Sequence, residues 1–168
     1  EARLGQRAVD PGQDDLTLSW DWDDGPPSPD VSTLYPTPYD VTETQTHVFA
    51  DACQYLIRFR AVDDDLAAGE DAVPVLVTGV ASTAAQFEGY WQHQCRGNGR
   101  TDYTAAQIDC FLRIVDFMSA VFSEVRPIAT PQQAFDVLFL KQNGGSAAQQ
   151  LDRELLVAWL NFASGAFD

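Results

Sequence analysis

A chain of 168 residues holds one large domain or two small ones and is long enough to fold around its own core. Its 45% apolar and 21% charged residues are those of a globular protein, and no apolar run approaches the ~18 residues of a membrane span. Twenty-five acids against ten bases leave a net charge of −15, which argues against a nucleic-acid partner, whose phosphates need Lys and Arg.

The acids are unevenly placed. Residues 1–80 hold sixteen acids and four arginines, whereas residues 81–168 hold nine acids and six bases. The hydrophobic period changes at the same place, from two residues to that of a helix. This predicts a strand-rich domain over 1–80 and a helical domain over 81–168, with the boundary near Gly79–Ser82. The chain begins without Met and shows no signal peptide, so a processed product or an excised fragment is expected.

In chain order, Glu1–Val9 has room for one short strand of about 7 residues before the Asp10-Pro11-Gly12 turn. Leu16, Leu18, Trp20 and Trp22 alternate with Thr17, Ser19, Asp21 and Asp23, the pattern of a strand with one buried and one acidic face. Asp24-Gly25-Pro26-Pro27 is turn chemistry. The proline-rich stretch from Gly25 to Thr46 predicts an extended loop with one or two short strands. Tyr55, Ile57, Phe59 and Ala61 predict a second inward-facing strand. Val73, Val75 and Val77 predict a third, which Pro74 assigns to an edge or a bulge. Short strands with a buried Trp suggest an immunoglobulin-like sandwich.

The second half reads as helix. A short helix is expected over Ser82–Gln92. Thr104 caps a helix running to about Val125, with Ile108, Phe111, Leu112, Val115, Met118 and Phe122 on one face. Thr130-Pro131 opens a short helix to about Lys141, and Asn143-Gly144-Gly145 ends it. Ser146 caps a last helix to about Ser164. The fold class is therefore α+β: an N-terminal immunoglobulin-like β-sandwich followed by a small three- to four-helix unit.

At this point the residues resemble a family. Ser19-Trp20-Asp21-Trp22-Asp23-Asp24-Gly25 resembles the W-D-F-G-D-G signature of PKD domains. His47-Val48-Phe49-Ala50-Asp51, with Tyr55 and Asp63-Asp64-Asp65 after it, resembles that family's H-x-Y…G-x-Y-x-V…D-x-x-G stretch. The likeness covers roughly residues 8–79. Asp23, Cys53 and Leu66 depart from it, each standing where the family commonly has glycine. The resemblance implies an extracellular β-sandwich, usually non-catalytic, that works as a spacer, adhesion or polymer-binding unit. It also implies two strands before the W-D strand, so a sandwich lacking its first strand is expected here. That open edge would pair with a copy of the chain, giving a filament, or with another chain of a surface assembly. The segment Gly89–His93, together with Leu156–Asn161, resembles a helical region that follows PKD-like modules in large secreted bacterial proteins.

Three cysteines, Cys53, Cys95 and Cys110, lack C-x-x-C spacing, so neither a zinc knuckle nor a thioredoxin motif is supported. One disulfide and one free thiol is the simplest secreted outcome. Cys53 with Cys110 is the favoured pair, because Cys110 falls near the apolar face of its helix and Cys53 begins a buried strand. Cys95 with Cys110 is the alternative.

Acids cluster at Asp10, Asp14 and Asp15, at Asp21, Asp23 and Asp24, and at Asp63, Asp64 and Asp65. Should the Asp10 loop and the Asp63 turn meet at one end of the sandwich, several carboxylates converge, and their oxygens suit Ca²⁺, a hard cation that takes 6–8 of them. Some PKD domains bind Ca²⁺ near such loops. Asp10, Asp21, Asp24, Asp63 and Asp65 are the candidate ligands; the competing reading is a solvated acidic surface. Trp22, Tyr35 and Tyr39 are candidate platforms for a polysaccharide, weighed against plain core packing. No nucleophile elbow, H-E-x-x-H, phosphate loop or dinucleotide fingerprint occurs. A secreted, non-enzymatic structural or interaction module is the leading expectation. A carbohydrate-binding or protease-accessory module is the alternative.

Overall fold

The alternation at Leu16–Asp21 sets the strand-rich part of the molecule. In the computed structural model, which describes residues 1–25, 29–81, 84–99, 101–140 and 144–166, Leu16, Leu18 and Trp20 are buried and the residues between them half-buried. Six strands form: β1 (Ala2–Val9), β2 (Leu16–Asp21), β3 (Val31–Tyr35), β4 (Asp40–His47), β5 (Cys53–Asp63) and β6 (Ala68–Val77). They make two antiparallel sheets, one ordered β3-β2-β5-β6 and the other β1-β4. Leu4 and Ala8 of β1 and Val41 of β4 pack onto the core of Leu16, Leu18, Trp20, Trp22, Ile57 and Phe59. Burying each such Leu, Ile or Phe contributes about 2 kcal/mol.

The proline-rich stretch holds two strands, the most that is expected of it, and the second is eight residues long. Pro36 and Pro38 lie in the short link between β3 and β4. Beyond them, Val41-Thr42-Glu43-Thr44-Gln45-Thr46 is β-branched and alternating, and β4 pairs along its whole length with β1, from Val9↔Asp40 to Ala2↔His47. Asp23 and Leu66 both hold a left-handed backbone, with φ of 61° and 68°. Asp tolerates that conformation through local hydrogen bonds, but Leu does not. Pro26, Pro27 and Ser28 lie outside the described residues.

The chain divides into two compact units. One holds Glu1–Ala50 with Tyr55–Val75; the other holds Asp51–Gln54 with Leu76–Asp168. The strand unit thus ends at Val75, and the chain makes a four-residue excursion into the helical unit before most of β5 is laid down. Ser82 and Thr83, at the expected boundary, lie outside the described residues.

The helical unit contains α1 (Glu88–Arg96), α2 (Ala105–Met118), a π-helical turn (Val121–Val125), α3 (Pro131–Leu138) and α4 (Ala147–Ser164). Helix α1 starts later than expected, because Phe87 is extended and supplies no capping side chain; Gly97, at φ 64°, ends it. Capping boxes open α2 (Thr104 with Gln107) and α4 (Ser146 with Gln149). Thr130 caps α3, with Pro131 in its first turn. The helix expected to reach Val125 stops at Met118: Ser119 is extended, and the chain resumes as the π turn. Lys141 and Asn143, expected at the end of α3, lie outside the described residues. No helix among the described residues is long and apolar enough to cross a membrane.

Trp91, Phe111, Leu112, Phe122, Leu138 and Leu160 are among the side chains of the helical core. Asn161 is buried beside it and fully employed. Its Oδ1 accepts from Gln86 N at 2.9 Å and from Trp91 Nε1 at 3.0 Å, and its Nδ2 donates to Gln86 O at 2.9 Å. The segment after β6 runs against the end of α4, where Gly79 N donates to Ala163 O at 3.0 Å. Only glycines fit there. A Cβ on Gly79 would overlap the Ser164 carbonyl, and one on Gly165 (φ 82°) would overlap the carbonyls of Gly79 and Val80.

Candidate functional site

The acidic residues of the strand unit have two different occupations. Asp10 is buried and spends its carboxylate on its own turn, accepting from Gly12 N at 3.0 Å and Asp14 N at 2.8 Å. Asp63 accepts from Ala67 N at 2.7 Å, closing the β5–β6 hairpin. Both are turn builders. By fixing these turns they leave the side chains of Asp14, Asp64 and Asp65 exposed and close together. One carboxylate oxygen from each of the three lies within 4.8 Å of the others. The register that pairs Leu16 with Asp63 brings the two turns to the same end of the sheet.

Of the five expected ligands, only Asp65 belongs to this triad. Asp21 pairs with Arg58, at the opposite end of β2 from Asp63 and roughly 17 Å away along the strand. Its carboxylate accepts from Asp23 N at 3.0 Å and faces Arg58 at 3.7 Å. Asp24 sits 2.6 Å from His47 Nε2. The five therefore do not form one site: two are committed to turns and two lie at the far end. Asp14 and Asp64 belong to the two clusters expected to meet, but Asp10 and Asp63 were the ligands expected from them; which acids of each turn are left exposed depends on the turn hydrogen bonds.

Electrostatics mark the triad as crowded. Desolvation, and then the charges of Asp64, Asp10, Asp65 and Asp63, hold the Asp14 carboxyl above the usual carboxylate range. A cation placed among these oxygens would relieve that repulsion. The donors are all carboxylate oxygen, a set for a hard cation such as Ca²⁺ or Mg²⁺ and not for a soft metal.

The aromatic candidates separate as sharply. Trp22 is 1% exposed, stacked between Trp20 at 5.6 Å and His47 at 4.8 Å, and so is core and not a sugar platform. Tyr35 is half-buried against the same core, and burial with the nearby Glu43 carboxylate raises its hydroxyl pKa. Tyr39 alone of the three is well exposed. Glu43 itself escaped sequence reasoning. It is a buried carboxylate on β4 that accepts from Thr33 Oγ1 at 3.2 Å and Gln45 Nε2 at 2.6 Å.

Cys53 and Cys110 form a disulfide, and Cys95 is free and buried. Burial pushes the Cys95 thiol up to about 12, which leaves it unreactive. Because Asp51–Gln54 belong to the helical unit, the bridge lies within that unit and fastens the excursion to α2. Gln107 Nε2 donates to Asp51 Oδ1 at 3.1 Å beside it.

Compared with protein-family models, with curated proteins and with solved structures, the chain matches none.

Proposed function

We propose that the chain is a non-enzymatic structural or interaction module of an extracellular, oxidising compartment, associating with copies of itself or with another chain of a surface assembly. The Cys53–Cys110 disulfide carries this reading. Such bridges persist where thiols are oxidised and are rare in reducing compartments.

Two observations support an immunoglobulin-like, PKD-type sandwich for the strand unit. The order β3-β2-β5-β6 beside β1-β4 is that of strands C′-C-F-G beside B-E in such a sandwich. Asp23 and Leu66, two of the departures from the family's glycines, both sit at positive φ, the conformation a glycine serves. Ca²⁺ is the proposed ion for Asp14, Asp64 and Asp65, and its role would be to neutralise and stiffen that end of the sheet.

Thiol labelling of the native and the denatured, unreduced protein tests the compartment. Only Cys95 should react, and only after denaturation. Labelling of Cys53 and Cys110 without reductant, in protein from its native source, removes the ground for the reading.

A further inference from the structure

The strand unit contains a groove of about 420 Å³ between two strands that have no ladder with each other. One wall is the Gln6–Val9 stretch of β1, and the other is the Ala68–Asp71 stretch of β6. Each strand is the outermost of its sheet among the described residues, so each offers unpaired N–H and C=O groups on that side. Leu16, Phe59 and Ala61 line the groove between these walls. Gln6 Nε2 reaches across to Asp71 Oδ2 at 3.1 Å, holding the two edges a side chain apart.

The charge around the groove is negative. Asp10, Asp63, Glu70 and Asp71 line it, and the one lining base, Arg7, is already bound to Asp40 in a bidentate pair. The exposed acids Asp14, Asp64 and Asp65 lie in the same two turns as Asp10 and Asp63 and add to this charge. A second copy of a chain with net charge −15 is poorly matched to this surface.

We propose that the groove is a docking site for an extended, lysine- or arginine-bearing segment of another protein, added as a strand to the free edge of β6. Backbone hydrogen bonds to Ala68–Asp71 give the affinity, small apolar side chains on one face fill the space over Phe59 and Ala61, and basic side chains on the other face meet Glu70. This inference rests on the interaction-module reading and names its partner.

The test uses the full chain and a synthetic peptide of about eight residues alternating valine and lysine. One control is the same peptide with alternate backbone nitrogens methylated; another alternates valine and glutamate. The valine–lysine peptide should bind and protect the Ala68–Asp71 amides from hydrogen exchange, and neither control should do so. Gly69 lines the groove and a Cβ on it meets nothing within 4 Å, so Gly69→Trp adds bulk at the groove wall without a backbone clash. It should weaken binding about tenfold or more. Glu70→Lys should weaken binding and flatten its salt dependence.

Equal binding of the methylated peptide, or unchanged affinity in Gly69→Trp, overturns the proposal. A peptide-free dimer that Gly69→Trp dissolves makes a second copy the occupant and overturns it too. Failure here leaves the thiol-labelling result standing, and failure there leaves the groove standing, so the two ideas fall separately.

Discussion

The strand unit and the helical unit meet the same requirement, burying apolar surface, under different electrical conditions. The helical unit encloses the larger core, closes its helix ends with capping boxes and glycine caps, and adds a disulfide. The strand unit stacks Trp20, Trp22 and Phe59 in a smaller core and carries most of the negative charge of the chain on its turns and edges. Its acids do local work first, as turn caps at Asp10 and Asp63, and leave a crowded remainder at Asp14, Asp64 and Asp65. One unit is thus set by packing and covalent chemistry, the other by packing offset against charge. Ions and pH should move the second and barely touch the first.

The disulfide gives the largest expected contrast. Closing a loop across 57 residues stabilises by about 4 kcal/mol in the chain-entropy model. Replacing Cys53 and Cys110 by Ser together should lower the unfolding midpoint read from far-ultraviolet helix signal. The near-ultraviolet signal of the Trp20–Trp22 pair should move less. An equal shift in both would make the units one cooperative block and break the comparison.

Ca²⁺ should act on the other side of it. At a hundredfold excess over the dissociation constant, a bound ion stabilises by roughly 2.7 kcal/mol. Calorimetry in millimolar Ca²⁺ against chelator should therefore raise only the transition of the strand unit, and Asp14→Asn should abolish the rise. In chelator the same substitution should be stabilising at neutral pH. A carboxyl whose folded pKa is raised contributes stability below its unfolded pKa and loses it as pH rises from about 4. Asp40 has the opposite sign. The Arg7 hydrogen bond lowers its pKa, so its contribution is present above about pH 4 and lost on acidification. A pH titration of Tm with and without Asp14→Asn separates the two.

Asn161→Leu should cost about 2 kcal/mol and be felt in the helical unit, because it strands the Trp91 indole N–H and the Gln86 backbone. The Trp91 environment, followed by indole proton exchange, reports it directly. The smallest effect has the opposite sign. Leu66 is 81% exposed at a positive φ, so Leu66→Gly should stabilise the strand unit by up to about 1 kcal/mol in denaturant unfolding.

What was legible in the sequence was local. Thr104, Thr130-Pro131 and Ser146 announce helix starts because a cap and the period behind it lie within one turn. The β2 alternation puts Trp22 on the face of Trp20, which is its place in the core. What stayed hidden depends on distant pairing. The stretch from Gly25 to Thr46 reads as an extended loop with one or two short strands, and the full length of β4 stays hidden because its partner, β1, is more than thirty residues away. The meeting of the Asp10 and Asp63 turns was expected, but which acids stay free there, Asp14 and Asp64 and not Asp10 and Asp63, depends on turn hydrogen bonds that the sequence does not display. Helix α1 was misplaced because its start rests on the extended backbone of Phe87 and not on a capping side chain.

The crossing of Gly79 and Gly165 has a consequence for how such chains diverge. The Ser164 carbonyl excludes a side chain at position 79, and the Gly79 and Val80 carbonyls exclude one at position 165, so a methyl group gained at either position separates the end of α4 from the segment after β6. Surface acids can be exchanged one at a time, but neither of these glycines is free to drift. A lineage that has lost Gly79 should have lost the hydrogen bond from position 79 to position 163, while position 165 keeps its glycine for the left-handed end of α4.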